Sequence, residues 1–161
     1  VPTGERGELV IQGKHVMQGY WNLPEATAAT LRDGWLHTGD IATIDAEGFV
    51  FIVDRLKDMI ISGGENIYPA EIEKVISGLA GVTGVAVIGR PDPKWGETPV
   101  AIVERSDQAL DEKAVIEFCK GKLAGYKVPK SVSFVDSLPR TPTGKVKKTV
   151  LRDHFSSSES R

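Results

Sequence analysis

A run of charge, Asp54-Arg55-Leu56-Lys57-Asp58, cuts this chain into two apolar rhythms. Upstream, short strand-like runs alternate with turns. Glu8-Leu9-Val10-Ile11 predicts a strand, and Leu23-Pro24-Glu25 opens a short helix towards Leu31, since proline suits the first helical position. Asp33-Gly34 turns the chain. Ile41–Ile44 and Phe49–Val53 read as two strands joined by Asp45-Ala46-Glu47-Gly48, a hairpin connection.

Downstream the period changes. Met59-Ile60-Ile61 predicts a strand and Ser62-Gly63-Gly64 a flexible turn. Pro69 begins a helix with Ile72, Val75, Ile76 and Leu79 on one face, at the i, i+3, i+4, i+7 spacing. Val85–Ile88 and Val100–Val103 read as strands around a charged loop, Arg90 to Glu97. A second amphipathic helix is expected over Asp111–Leu123, a strand over Val132–Val135 and a last helix over Lys148–Phe155. The order β-α-β-β-α-β-α predicts an α+β protein: a β-rich first part, then a small mixed-sheet domain with flanking helices.

The 161 residues suffice for one domain and an attached remnant, and 40% hydrophobic content supports a packed core. Twenty basic residues against 22 acidic ones leave a net charge of −2, which argues against a nucleic-acid binder. No apolar run approaches the roughly 18 residues of a membrane span. No basic-then-apolar leader stands at the amino terminus. Cys119 is the single cysteine and sits in a helical apolar pattern, so it reads as a core residue with no internal disulfide. His15, His37 and His154 have no metal-ligand spacing, and no metal site is expected.

Three segments could carry chemistry. Pro139-Arg140-Thr141-Pro142-Thr143-Gly144-Lys145 is a stiff loop that presents a lysine, with Gly144 allowing close backbone approach. Read alone, it is equally an ordinary surface turn. Thr38-Gly39-Asp40 offers a carboxylate on a tight turn, able to accept two hydroxyl hydrogen bonds. Arg55 by itself reads as a surface ion-pairing residue, and Gly63-Gly64 as a β-turn.

Taken in order, these motifs and the run Asp54–Glu73 resemble the carboxyl-terminal third of acyl-CoA synthetases of the adenylate-forming superfamily, over nearly all of residues 4–155. The resemblance implies an AMP-forming acid–thiol ligase that uses ATP, Mg²⁺ and coenzyme A on a small carboxylic acid. It implies that Lys145 contacts the substrate carboxylate and the α-phosphate, that Asp40 holds the ATP ribose and that Arg55 assists at the nucleotide. Lys57, two positions after that arginine, matches the pivot of a mobile lid; hinges usually lie at element boundaries. Gly64 matches the glycine beside the pantetheine arm, Trp95 a tryptophan near it. Tyr126 and Lys130, in Tyr126-Lys127-Val128-Pro129-Lys130, match a segment at the nucleotide end of coenzyme A. Val128 departs from relatives with a basic residue there. The proline-four residues-glycine-lysine spacing of Pro139 to Lys145 also resembles relatives silenced by lysine acetylation.

The expected organisation is 1–54 as the end of a large AMP-binding domain, 55–57 as hinge, 58–155 as lid and 156–161 as a polar tail. No phosphate-binding loop of the family type and no acyl pocket are found, so a large amino-terminal domain, the holder of most of the Mg²⁺ and ATP, is expected as a partner in the same chain. These residues alone are expected to be inactive. A fatty acid is the expected substrate, with aryl-acid and 4-coumarate-type ligases close behind. A non-catalytic lid-like binding module is the rival of another class. Free coenzyme A is expected rather than a carrier domain, since none follows Arg161. The single cysteine fits a reducing cytoplasm, so a cytoplasmic protein is expected, with peripheral membrane association of the full-length protein left open.

Overall fold

The structure is a computed structural model and describes residues 1–156. It divides into two compact units, one ending at Lys57 and the other starting at Asp58. The predicted tail, apart from Ser156, lies outside the described residues. Among the described residues, no helix is long and apolar enough to cross a membrane.

The first unit is an antiparallel sheet with one short helix. Its elements are β1 (Gly7–Ile11), α1 (Pro24–Thr30), β2 (Leu31–Arg32), β3 (Trp35–Ile44) and β4 (Val50–Arg55). Strand β3 is central, pairing with β1, β2 and β4. The β2–β3 turn is Asp33-Gly34, both left-handed at φ 52° and 80°, the turn geometry that matches the twist of a two-residue hairpin. The Asp45 carboxylate accepts from Glu47 N and Phe49 N, both at 2.9 Å, and closes the β3–β4 turn.

One expectation fails here. Thr38-Gly39-Asp40 is not a turn but a bulge inside β3: Glu8 pairs with Ile41 and Val10 with His37, so three residues of β3 face Leu9 alone. Gly39 at φ 70° makes the excess residues fit.

The second unit contains β5 (Ile60–Ser62), β6 (Glu65–Ile67), α2 (Pro69–Ile76), β7 (Val82–Asp92), β8 (Gly96–Arg105), α3 (Glu112–Cys119), β9 (Ser131–Val135) and α4 (Lys148–Ser156). The sheet runs β6-β5-β8-β7, with β9 parallel to β8 and the remaining pairs antiparallel. It is mixed, and the protein is α+β.

Helices cover both faces. Ala101 and Val103 of β8 face a core with Ile72 and Ile76 of α2 and Val115 and Cys119 of α3. Val100 and Ile102 face the other way, against Leu138 and Leu151. Burial on both sides explains why Val100–Val103 is one unbroken apolar run. Burial pushes the Cys119 thiol up from its ordinary value, only weakly opposed by Lys122.

The expected loop Arg90–Glu97 is mostly strand: pairing of β7 with β8 continues through Arg90↔Thr98 and Asp92↔Gly96, leaving Pro93-Lys94-Trp95 as the turn. Helix α3 stops at Cys119 rather than Leu123, because Lys120 is already extended at ψ 139°. Helix α2 stops at Ile76, yet Leu79 beyond it still packs on the core. Strand β6 is absent from the reading of the sequence.

Candidate functional site

Two adjacent left-handed glycines form a turn at the edge of a pocket in the second unit, with Gly63 in its wall. Gly63 (φ 59°) and Gly64 (φ 86°) form the β5–β6 turn. Gly63 N donates to Trp95 O at 2.8 Å, tying this turn to the β7–β8 turn. The Asp92 carboxylate fixes the latter, accepting from Lys94 N and Trp95 N, both at 2.9 Å. Trp95 is thereby laid against Gly63, where an added Cβ would come within 2.9 Å of its ring.

Gly63 and Trp95, with Ser62, Glu65 and Gly125, line a pocket of about 300 Å³ that also takes in Tyr126 and Lys130. Three predicted residues from two segments, Trp95 on the one hand and Tyr126 with Lys130 on the other, therefore meet in one place. Gly64 stands beside them, and nothing lies within 4 Å of where its Cβ would be. Its left-handed backbone, not a close neighbour, is what calls for glycine. Gly63 is the glycine that the tryptophan needs, and the sequence offered no sign of which of the two would bear it.

Lys127 and Val128 turn away. The Lys127 ammonium donates to both oxygens of Glu71, at 2.7 and 2.9 Å, and anchors the Tyr126 turn to the first turn of α2. Val128 packs on the core. Lys130 is thus the lysine that lines the pocket. Among the described residues, no group of three or more His, Cys, Asp or Glu side chains is placed to hold a metal ion.

Lys145 is exposed on a tight hairpin. Thr141 N donates to Lys145 O at 2.7 Å, Gly144 N to Thr141 O at 2.9 Å and Lys145 N to the Thr141 hydroxyl at 3.1 Å. Lys147 N, bonded to Pro139 O at 2.7 Å, closes the base. Gly144 is left-handed at φ 85° with open space around it, so conformation rather than close approach requires it. A rigid base therefore carries a free ammonium: the Lys145 Nζ has no ion pair among the described residues.

In the first unit, Asp40 and Arg55 face each other across β3 and β4 and form an ion pair, Nε to Oδ1 at 2.9 Å. Both are partly exposed, so the second carboxylate oxygen and the rest of the guanidinium stay open to a ligand. Glu8 of β1 holds the bulge: its carboxylate takes Gly39 N at 3.2 Å and His37 Nδ1 at 2.8 Å. The His37 hydrogen bond is the main reason why the Glu8 carboxyl lies below its ordinary range, with the Gly39 amide adding to it and burial opposing. Lys57 is exposed within the 3₁₀ turn Leu56–Asp58, at the boundary of the units. On the far side of that boundary, Asp58 is gripped by Arg152 of α4 at 2.5 Å.

A small α+β unit with a glycine-walled pocket and a lysine hairpin is the C-terminal domain of AMP-binding enzymes: residues 71–145 match the family model of that description. Over nearly its whole length the chain is similar to the carboxyl-terminal part of CoA ligases of the adenylate-forming superfamily. It is 56% identical over 156 residues to a feruloyl-CoA synthase of Amycolatopsis sp, covering 96% of this chain and 32% of that protein. It is 55% identical over 152 residues to the long-chain-fatty-acid–CoA ligase FadD13 of Mycobacterium tuberculosis, covering 94% and 30%. ATP-bound MatB from Rhodopseudomonas palustris matches its shape with a TM-score of 0.90 at 43% identity, covering 98% of this chain and 32% of that one. The chain spans about a third of the length of the curated relatives it matches.

Proposed function

We propose that this chain is part of an ATP-dependent, AMP-forming acyl-CoA synthetase and supplies the lysine of the adenylation step and a coenzyme A site. The observation that carries this is the pocket itself. Two aromatic rings and one lysine, brought from two segments to a glycine turn, suit a ligand with a thin arm, a flat base and phosphates. Coenzyme A has those parts.

In the first half-reaction a carboxylate oxygen bonds to the α-phosphorus of ATP and the bond to pyrophosphate breaks. Both reactants are anionic, and an ammonium between them offsets the repulsion. At about 4 Å and an effective dielectric near 20, one such contact is worth ~4 kcal/mol before desolvation. Lys145, unpaired on its braced hairpin, supports that role. Asp40 has the lone pairs to hold a ribose diol, with Arg55 orienting it. In the second half-reaction the thiol sulfur bonds to the acyl carbon and AMP leaves. Magnesium accompanies ATP, and its ligands belong to the large domain of the longer protein rather than to these residues. We assign Lys57 as the pivot between the two half-reactions because it stands where the compact units divide.

The proposed acyl group is a fatty acid, with FadD13 in support. The feruloyl-CoA synthase relative supports an aryl acid instead, and a panel of long-chain acids and ferulic acid offered to the full enzyme separates the two. The central test is Lys145→Ala in that enzyme, with each half-reaction followed alone. Pyrophosphate release should fall on the order of 10²–10³, the usual cost of a preorganised charge contact, while thioester formation from supplied acyl-AMP persists. If neither step changes, Lys145 is a surface residue and the non-catalytic binding module becomes the better reading.

A further inference from the structure

We infer that Glu8 is a positioning residue for Asp40, acting through the β3 bulge. This rests on the reading of Asp40 as the carboxylate that holds the nucleotide ribose.

A three-against-one bulge has backbone groups that the strand ladder cannot pair. Glu8 and Thr38 satisfy them. Glu8 Oε1 accepts the Gly39 amide at 3.2 Å, and its Oε2 lies 2.8 Å from His37 Nδ1. The carboxyl, held below its ordinary range, is ionised and can only accept, so the His37 Nδ1 donates to it. Arg32 adds a looser contact at 3.7 Å. The Thr38 hydroxyl donates to Leu9 O at 2.7 Å and accepts from the Asp40 amide at 3.1 Å. His37, Thr38, Gly39 and Asp40 are therefore fixed in succession, and β1 does the fixing. The polar partners of Glu8 are His37, Gly39 and Arg32 rather than Asp40 or Arg55; it sets the backbone from which the Asp40 carboxylate meets Arg55. Gly39 has a left-handed backbone, and no heavy atom lies within 4 Å of where its Cβ would be, so no side-chain packing at that position shapes the bulge.

A residue that merely stabilised the sheet would lower the amount of folded enzyme and leave the affinity of the remainder unchanged. A positioning residue shifts KM for ATP. In the full enzyme, Glu8→Ala should raise KM for ATP about tenfold, the worth of one charge-assisted hydrogen bond, with KM for coenzyme A unchanged. Glu8→Gln should stay near the parent value, because its amide oxygen can accept from Gly39 and its amide nitrogen can donate to the other tautomer of His37. Thr38→Val removes the second brace and should shift KM for ATP in the same direction; it also provides the test if Glu8→Ala does not fold. Asp40→Ala is measured alongside. If Asp40→Ala raises KM for ATP while Glu8→Ala, or Thr38→Val in its place, leaves it unchanged, the inference is overturned and the ribose reading stands. If none of the three moves it, the ribose reading falls and takes the inference with it.

Discussion

At the scale of single residues, charge is placed by hydrogen bonds to backbone more than by direct contact with partners. Lys145 keeps its ammonium free because its neighbours' amides and hydroxyls make the hairpin. Lys127, adjacent to Tyr126 in sequence, is by contrast taken up directly by Glu71 and serves as an anchor. Lys130, three residues on, lines the pocket instead. Glu8 also bears on acid stability. Its carboxyl pKa is lowered in the fold from an ordinary 4.5, so its stabilising contribution is complete above about 4.5 and is lost as pH falls through the lowered folded value. Glu8→Gln should therefore flatten the loss of stability below pH 4.5 in urea titrations of the full enzyme. An acid limb as steep as the parent's would remove Glu8 from the account.

At the scale of elements, apolar runs were readable and polar continuations were not. Val100–Val103 and the faces of α2 and α3 announce themselves because burial demands a period. Arg90, Asp92 and Glu97 hid the outer ends of β7 and β8, since at the end of a hairpin a strand needs only backbone pairing. Glu65-Asn66 hid β6 for the same reason. The bulge at Gly39 looked like a turn because both need a left-handed residue, and only pairing with β1 distinguishes them. The candidate site was readable where it depends on residue type, at Trp95, Tyr126, Lys130 and Lys145. Two of its braces, Glu8 and Glu71, act across the fold and leave no local pattern, while Asp92 braces its own turn two and three residues on. Helix α4 is the element that seats the lysine hairpin. Leu151, 4% exposed among Ala86, Ile88 and Ile102, is its main anchor. Leu151→Ala should cost about 2–5 kcal/mol in denaturant unfolding. A cost under 1 kcal/mol would mean that the helix is held by its ion pairs alone.

At the scale of the whole molecule, the two units differ in self-sufficiency. Both buried apolar clusters consist of residues from Ile60 onward. In the first unit, the buried residues are Ile41 and Ala42, while Trp21 (90%), Phe49 (61%) and Ile52 (58%) are exposed. Burial of apolar area is the main favourable term in folding, so the second unit has what it needs and the first does not. Residues 58–156 expressed alone should give a dispersed amide spectrum and a cooperative melt, and residues 1–57 alone should give neither. A folded, cooperative 1–57 would contradict the view that this unit belongs to a larger body.

The grip of Arg152 on Asp58 brings the beginning of the second unit beside its final helix, and Ser156 lies only about 6 Å further along that helix. Topologically the unit is nearly a ring, with its seam at the ion pair. A ring can be cut elsewhere: a short splice from Ser156 back to Asp58 would let the chain open at Gly121, an exposed turn whose glycine has empty space around it. The pocket and the lysine hairpin would then be displayed by a permuted chain whose connection to any neighbouring domain could be placed at will.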